Sequence, residues 1–173
     1  MSRFLFIFLT ILFLQAGVVA CFAVETMNNT LLFDPFIRPN ELATHINVSS
    51  IKPDFILISH GHMDHVADAE EIAKASGAKL ISNFEIIEWF GAKGLDNGHP
   101  MNIGGSVNMP FGNVHYVNAI HSSVLPDGAY GGNPGGFVIT NDEGCFYFAG
   151  DTALTLDMKL IGERHQLDFA LLP

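Results

Sequence analysis

The sequence predicts an α/β fold in which helices cover the outer faces of stacked sheets. Three observations lead there. In the first half, short apolar runs alternate with stretches of helical periodicity. After Gly91 the pattern turns to short strands parted by Gly-rich turns. The 173 residues are 49% hydrophobic and 15% charged, which suits one folded domain with its own core rather than a disordered chain.

Residues 1–20 read as an apolar leader and 21–173 as the folded domain. Arg3 precedes an apolar run over 4–20, broken only by Thr10, Gln15 and Gly17. A basic start, an apolar stretch and a small-residue end describe a secretory signal. Val18-Val19-Ala20 fits a cleavage site, and together with Cys21 it resembles a bacterial lipoprotein box. Export or membrane anchoring is the expectation, with a buried core segment as the alternative.

Residues 21–25 and 30–33 read as strands around a turn at Asn28-Asn29, and Asp34-Pro35 ends the second. Residues 55–59, Phe-Ile-Leu-Ile-Ser, form a continuous apolar run and hence a buried strand. A helix follows over 67–76 with Gly77 as its cap, then a strand over 79–82 and a short helix over 84–90. Strands are expected over 107–109, 114–120, 137–140 and 145–149, the last two joined by a hairpin at 141–144. A helix over 156–163 and a buried strand over 168–172 end the chain.

The net charge is −10, from 8 basic and 18 acidic residues. A broad nucleic-acid footprint needs clustered Lys and Arg, so that function class is disfavoured. Cys21 and Cys145 form no CxxC pair, which excludes a zinc ribbon and a thioredoxin motif. One disulfide between them stays open, although Cys145 reads more simply as a small buried strand residue.

The chemistry is concentrated in His60-Gly61-His62-Met63-Asp64-His65, directly after the buried strand. Imidazole and carboxylate donors at this density suit zinc, iron or manganese. His60 and His62 converge readily on one ion from a tight loop. Asp64 and His65 lie further along and face a second. A solvated His-rich turn is the bland alternative. It is disfavoured because the apolar strand delivers the cluster to a strand end, where α/β sites usually sit.

His-x-His-x-Asp-His after an apolar strand resembles the signature of the metallo-β-lactamase superfamily. The resemblance implies a metallo-β-lactamase-like αββα sandwich, with His60 and His62 on metal one and Asp64 and His65 on metal two. His121, in Ala-Ile-His-Ser-Ser, matches the third ligand of metal one. Asp151, in Phe-Ala-Gly-Asp-Thr, matches the carboxylate that bridges both metals. Taken alone, His121 reads as a surface histidine and Gly-Asp-Thr as a common turn. Segments 20–25, 32–36, 99–105 and 130–136 are similar to one branch, the bacterial and archaeal metal-dependent hydrolases related to the ascorbate-phosphate lactonases. The similarity runs from residue 20 to 173.

The chain departs from that branch twice. Val18 and Val19 stand where the branch has a strand leading into Gly-His, which alters the first strand. The branch also continues past Leu171-Leu172-Pro173 with further helix and strand and a final histidine for metal two. The resemblance therefore implies a domain shortened at its C-terminus, with its second metal site one ligand short.

The expected function is metal-dependent hydrolysis. One or two divalent ions, zinc foremost and manganese or iron as options, generate hydroxide near neutral pH, at a pKa of about 7 for zinc-bound water. The substrate is a small molecule bearing an ester, lactone, amide or phosphoester. Asp64 is the expected catalytic carboxylate, positioning the nucleophile or ligating metal two. The alternatives are a metal-binding homologue without turnover and a fragment with no function of its own. A related oxygen-reducing di-iron branch carries Glu within the first motif, where Met63 stands here. No nucleic-acid partner is expected, and a membrane is expected only through the N-terminal segment. The family resemblance, in contrast to that segment, implies the cytoplasm.

Smaller signals stay open. His99, before Pro100, reads equally as a pocket residue and a surface turn. Asp34 reads as support for a metal ligand or as a turn cap. The glycine-rich segment 131–136 reads as a flexible rim, since its spacing matches no phosphate-binding loop. Trp89 and Phe90 read as helix core, and His45, His115 and His165 receive no role.

Overall fold

The computed structural model describes residues 21–173. The expected leader over 1–20 lies outside the described residues. The chain begins with a hairpin of β1 (Phe22–Thr26) and β2 (Asn29–Phe33), followed by β3 (Phe55–Leu57). Next come α1 (Met63–Val66), α2 (Ala69–Ser76), β4 (Lys79–Asn83), α3 (Phe84–Gly91) and β5 (His99–Met101). The second half holds β6 (Ser106–Met109), β7 (Gly112–Asn118), β8 (Gly135–Asn141), β9 (Gly144–Phe148), α4 (Leu156–Arg164) and β10 (Phe169–Leu171).

Two five-stranded sheets result, in the orders β1-β2-β3-β4-β5 and β10-β9-β8-β7-β6. Strand periodicity explains why they stack. On β2, Leu31 and Phe33 face one way and Leu32 the other, because successive strand side chains alternate. Leu31 and Phe33 join Leu57, Ile81, Tyr116, Phe137, Phe146 and Phe148 in a core between the sheets. Phe33 stacks on Phe22 with ring centroids 4.5 Å apart and meets Phe137, Phe146 and Phe148 edge-on. Each such fully buried side chain contributes roughly 1.5–3 kcal/mol of transfer free energy.

The outer faces are covered by helices. Leu32, Ile56 and Leu80 pack on Ile72 and Ala73 of α2 and on Ile86 and Phe90 of α3. On the other side, Val117, Val138, Cys145 and Tyr147 pack on Ile161 of α4. The layers are therefore helix, sheet, sheet, helix, as expected. Cys21 and Cys145 are both free and buried in different clusters, so no disulfide joins them. Among the described residues, no helix is long and apolar enough to cross a membrane.

Four local expectations are corrected. The first turn falls at Met27 and Asn28, both at positive φ (49° and 58°), rather than at Asn28-Asn29. A two-residue hairpin of this kind needs two left-handed residues, and pairing of Thr26 with Asn29 imposes that even on methionine. His99 lies in the short strand β5, opposite Ile81, and not in a loop. Pro100 is tolerated there because β5 is an edge strand. The helix after the histidine motif begins earlier than expected, as α1. Trp89 is only half-buried: its Nε1 donates to Asp127 Oδ2 at 2.7 Å and Lys93 lies over its ring, while Phe90 alone is core.

Candidate metal centre

The centre forms where the two sheets meet. Beyond β3, Ile58 N still donates to Ile81 O, and Ser59 O accepts from Gly135 N at the start of β8. The backbone of one sheet is thus tied to the other one residue before His60. His62 then occupies the cap position of α1, whose first turn brings Asp64 and His65 back over the strand ends. His121 follows the end of β7, and Asp151 follows the end of β9. Three strand ends therefore deliver the donors to one place.

Their geometry is close. The His60 ring lies 4.5 Å from that of His62, 3.9 Å from that of His65 and 5.0 Å from that of His121, centroid to centroid. His60 Nε2 and His62 Nδ1 face each other at 3.0 Å. Candidate ligand atoms of His60, His62 and His121 all fall within 4.8 Å of one another. Asp151 Oδ2 stands 3.5 Å from His65 Nε2 and 3.7 Å from His121 Nε2. Asp64, with a side chain 46% exposed, reaches to 3.9 Å from His65 Nε2 at the mouth. All six residues singled out by the sequence, His60, His62, Asp64, His65, His121 and Asp151, are thus brought together.

Asp34, His60 and His65 also bring ligand atoms within 4.8 Å of one another. The Asp34 oxygens, however, accept from Ser59 N at 2.7 Å, from Ser59 Oγ and from His65 Nδ1 at 2.9 Å. That carboxylate is spent on orientation. With His65 Nδ1 so bound, Nε2 is turned into the cluster, the usual way a carboxylate sets a ligating imidazole. Ser59 Oγ in turn lies 2.9 Å from His60 Nδ1. Asp34 holds φ +43° while fully buried, an uncommon backbone state for a non-glycine residue.

The electrostatics divide the histidines. Burial, reinforced by the neighbouring His65 and His62 imidazoles, pushes His60 down to about 2, so it is neutral at pH 7 with a lone pair to give. His62 is also lowered, by burial and then by His121. At His65 burial again works against charge, but the Asp34 carboxylate outweighs it and Asp151 adds to it, raising the group to about 10. Asp151 is held below the usual carboxylate range by His65, against the opposing effect of burial.

One atom tests whether a cation fits. His65 Nε2 is buried and has no hydrogen-bond partner among the described residues; 3.5 Å to Asp151 is too long for a good bond. A buried polar atom left alone is costly, and a metal ion would satisfy it. The imidazole and carboxylate donors around it suit zinc, manganese or iron.

Comparisons with known proteins identify the family. Residues 29–173 match the model of the beta-lactamase superfamily domain. The chain belongs to the beta-lactamase superfamily. Within it, this superfamily domain is 53% identical over 154 residues to a UPF0173 metal-dependent hydrolase of Methylacidiphilum infernorum, covering 89% of this chain and 68% of that protein. It is 45% identical over 155 residues to the UPF0173 metal-dependent hydrolase YtkL of Bacillus subtilis, covering 87% and 67%. The solved structure of Igni18, a metallo hydrolase from Ignicoccus hospitalis, is similar with TM-score 0.76 and 34% identity, over 88% of this chain and 66% of that one. The domain thus spans about two thirds of the length of these relatives.

Sequence reasoning missed several supports of this cluster. Ser123 Oγ accepts from Gly61 N at 3.0 Å and donates to Gly131 O at 2.8 Å, pinning the histidine loop to the glycine-rich segment. Ser122 Oγ lies 3.2 Å from His62 Nε2. Asn83 Nδ2 donates to Gly131 O at 2.8 Å and to Asn133 O at 3.1 Å, while its Oδ1 caps α3. The segment 131–136, expected to be a flexible rim, is therefore tied down, and Gly131 and Gly132 are buried. Only the position of Ser122 and Ser123 beside His121 offered a hint. His99 is absent from the groups of candidate ligands found among the described residues.

Proposed function

We propose that His60, His62 and His121 hold one divalent ion, and that His65 and Asp151, with Asp64, hold a second, the pair serving hydrolysis of a small-molecule ester, lactone, amide or phosphoester. Membership in a family of metal-dependent hydrolases supports the reaction class. The observation that carries the residue assignment is the buried His65 Nε2, which faces Asp151 at 3.5 Å without a hydrogen bond among the described residues, inside a cluster of four imidazoles.

Bound there, a divalent ion supplies Lewis acidity and ionises water near neutral pH. The chain's own residues prepare the place. His60 stays neutral because it is buried among other imidazoles. His65 is aimed by Asp34. Asp151 stays ionised and central, and Asp64 stands half-exposed at the mouth, placed to orient an attacking water or to complete the His65 set. Zinc is the favoured ion, since nitrogen donors dominate the set. The basic start and apolar run of residues 1–20 support a proposal of export or anchoring.

Metal analysis and an ester and phosphodiester hydrolysis screen on the wild-type chain and His62→Ala test the assignment. The expected result is bound zinc and turnover in the wild type, with both lost in the variant. Full retention of both in His62→Ala overturns it. Metal with no turnover on any substrate favours a binding role instead.

A further inference from the structure

Next to the histidine cluster, and separated from it by one strip of backbone, lies a polar cavity of about 150 Å³ lined by Asn83, Phe84, Glu85, Asn102, Tyr130 and Asn133. The strip is Gly131-Gly132. A Cβ on Gly131 would meet Ser123 and Gly61 of the histidine loop, whereas one on Gly132 would meet Glu85 Oε2 and Asn83 Nδ2 on the cavity side. The two glycines thus face opposite ways, and the absence of side chains lets the two compartments lie back to back. Tyr116, which also lines the cavity, ties them further by donating from its hydroxyl to Ser59 O, one residue before His60.

The chemistry of the lining is one-sided. Asn83 is consumed by Gly131, Asn133 and the cap of α3. Glu85 is half-buried and makes no ion pair or hydrogen bond among the described residues. Asn133 turns its side-chain oxygen to the Tyr130 hydroxyl. Among the described residues, no Lys, Arg or His lines the cavity. Two aromatic side chains flank it and are unusually open, Phe84 at 58% and Tyr130 at 64% exposure. A carboxylate without an ion pair, sharing one cavity with two open aromatic side chains and, among the described residues, no cationic side chain, is complementary to a bound ammonium group. The net charge of −10 favours the approach of such a ligand.

We propose that this cavity is a recognition subsite for the positively charged ammonium group of the substrate, with Glu85, Phe84 and Tyr130 as specificity-determining residues. The proposal rests on the hydrolase reading only in that the bound cation is taken to belong to that site's substrate. Anionic groups are turned away by Glu85.

Calorimetric titration of the zinc-loaded whole chain with choline, and with its uncharged isostere in which carbon replaces the nitrogen, tests it. Choline is expected to bind about tenfold more tightly than the isostere, the scale of one desolvated charge–aromatic contact. Glu85→Gln and Tyr130→Ala are each expected to remove most of that preference. Equal affinity for both probes, no choline binding, or an undiminished preference in a Tyr130→Ala variant with a normal melt overturns the proposal. The readout needs no turnover. Choline preference without any hydrolysis leaves the subsite standing and sinks the hydrolase reading; hydrolysis with no preference for a cation does the reverse.

Discussion

Asp34 Oδ2 lies 2.9 Å from His65 Nδ1, with both side chains closed to solvent. The two residues are far apart in sequence, one at the end of β2 and the other on α1. Their contact decides which nitrogen of His65 is left for a metal. It also decides the charge on that ring, because a buried carboxylate beside an imidazole favours the protonated form.

Replacing Asp34 by Asn keeps the shape, and Asn tolerates the left-handed backbone found there. It removes the charge that orients His65. Metal affinity is expected to fall by about 10–100-fold, the usual cost of losing an outer carboxylate partner. Competition with a chromophoric chelator measures it. An unchanged affinity would show that His65 does not need Asp34.

Metal uptake should release protons. In the metal-free protein His65 is raised to about 10, so near neutral pH it carries a proton that ligation through Nε2 must displace. His60, lowered to about 2, is already neutral and releases none. Calorimetric zinc titrations at neutral pH, in buffers of different ionisation enthalpy, should show net release of about one proton from this pair. Asp34→Asn should reduce it. No buffer dependence would argue that His65 stays outside the coordination sphere.

The same two groups set opposite pH limits on the metal-free fold. The folded pKa of His60 is depressed, so its contribution is present above the unfolded value and is lost as pH falls from 6.5 toward about 2. The folded pKa of His65 is elevated, so its contribution is complete below 6.5 and is lost as pH rises through about 10. Urea unfolding of chelator-treated protein across this range should show stability falling on both sides. Flat stability down to strongly acid pH would contradict the burial of a neutral His60.

Phe33→Ala removes the ring at the centre of the aromatic contacts between the sheets. A loss of about 3–5 kcal/mol is expected from chemical denaturation, as for other large-to-small core changes. A much smaller loss would mean that the sheets close over the gap.

Gly132→Ala places a Cβ on Glu85 Oε2 and Asn83 Nδ2 at a residue with φ +73°. The left-handed backbone alone costs about 1–2 kcal/mol for a residue with a Cβ. A lowered melting temperature is expected, with weakened holding of the 131–133 strip seen as faster amide exchange. Wild-type exchange would show that the strip has room to spare.

Much of this protein was legible along the chain. The alternation of Leu31, Leu32 and Phe33, the apolar run before His60 and the helix ending at Gly77 each follow from local periodicity and local backbone preference. The motif from His60 to His65 was readable because its donors lie within six consecutive residues, so their spacing alone brings them close together. His121 and Asp151 were found only through their order after that motif. The tertiary structure decided the rest: that Asp34 serves His65 rather than its own turn, that Ser123 and Asn83 clamp the glycine-rich segment, that the hairpin turns at Met27, and that Glu85 lines a cavity without an ion pair among the described residues. The reason is physical. Backbone periodicity acts between neighbours in sequence, but a side chain's hydrogen-bond partner is chosen by which strand ends meet when two sheets close, and the same Asp, Ser or Glu would read identically on a chain where they met differently.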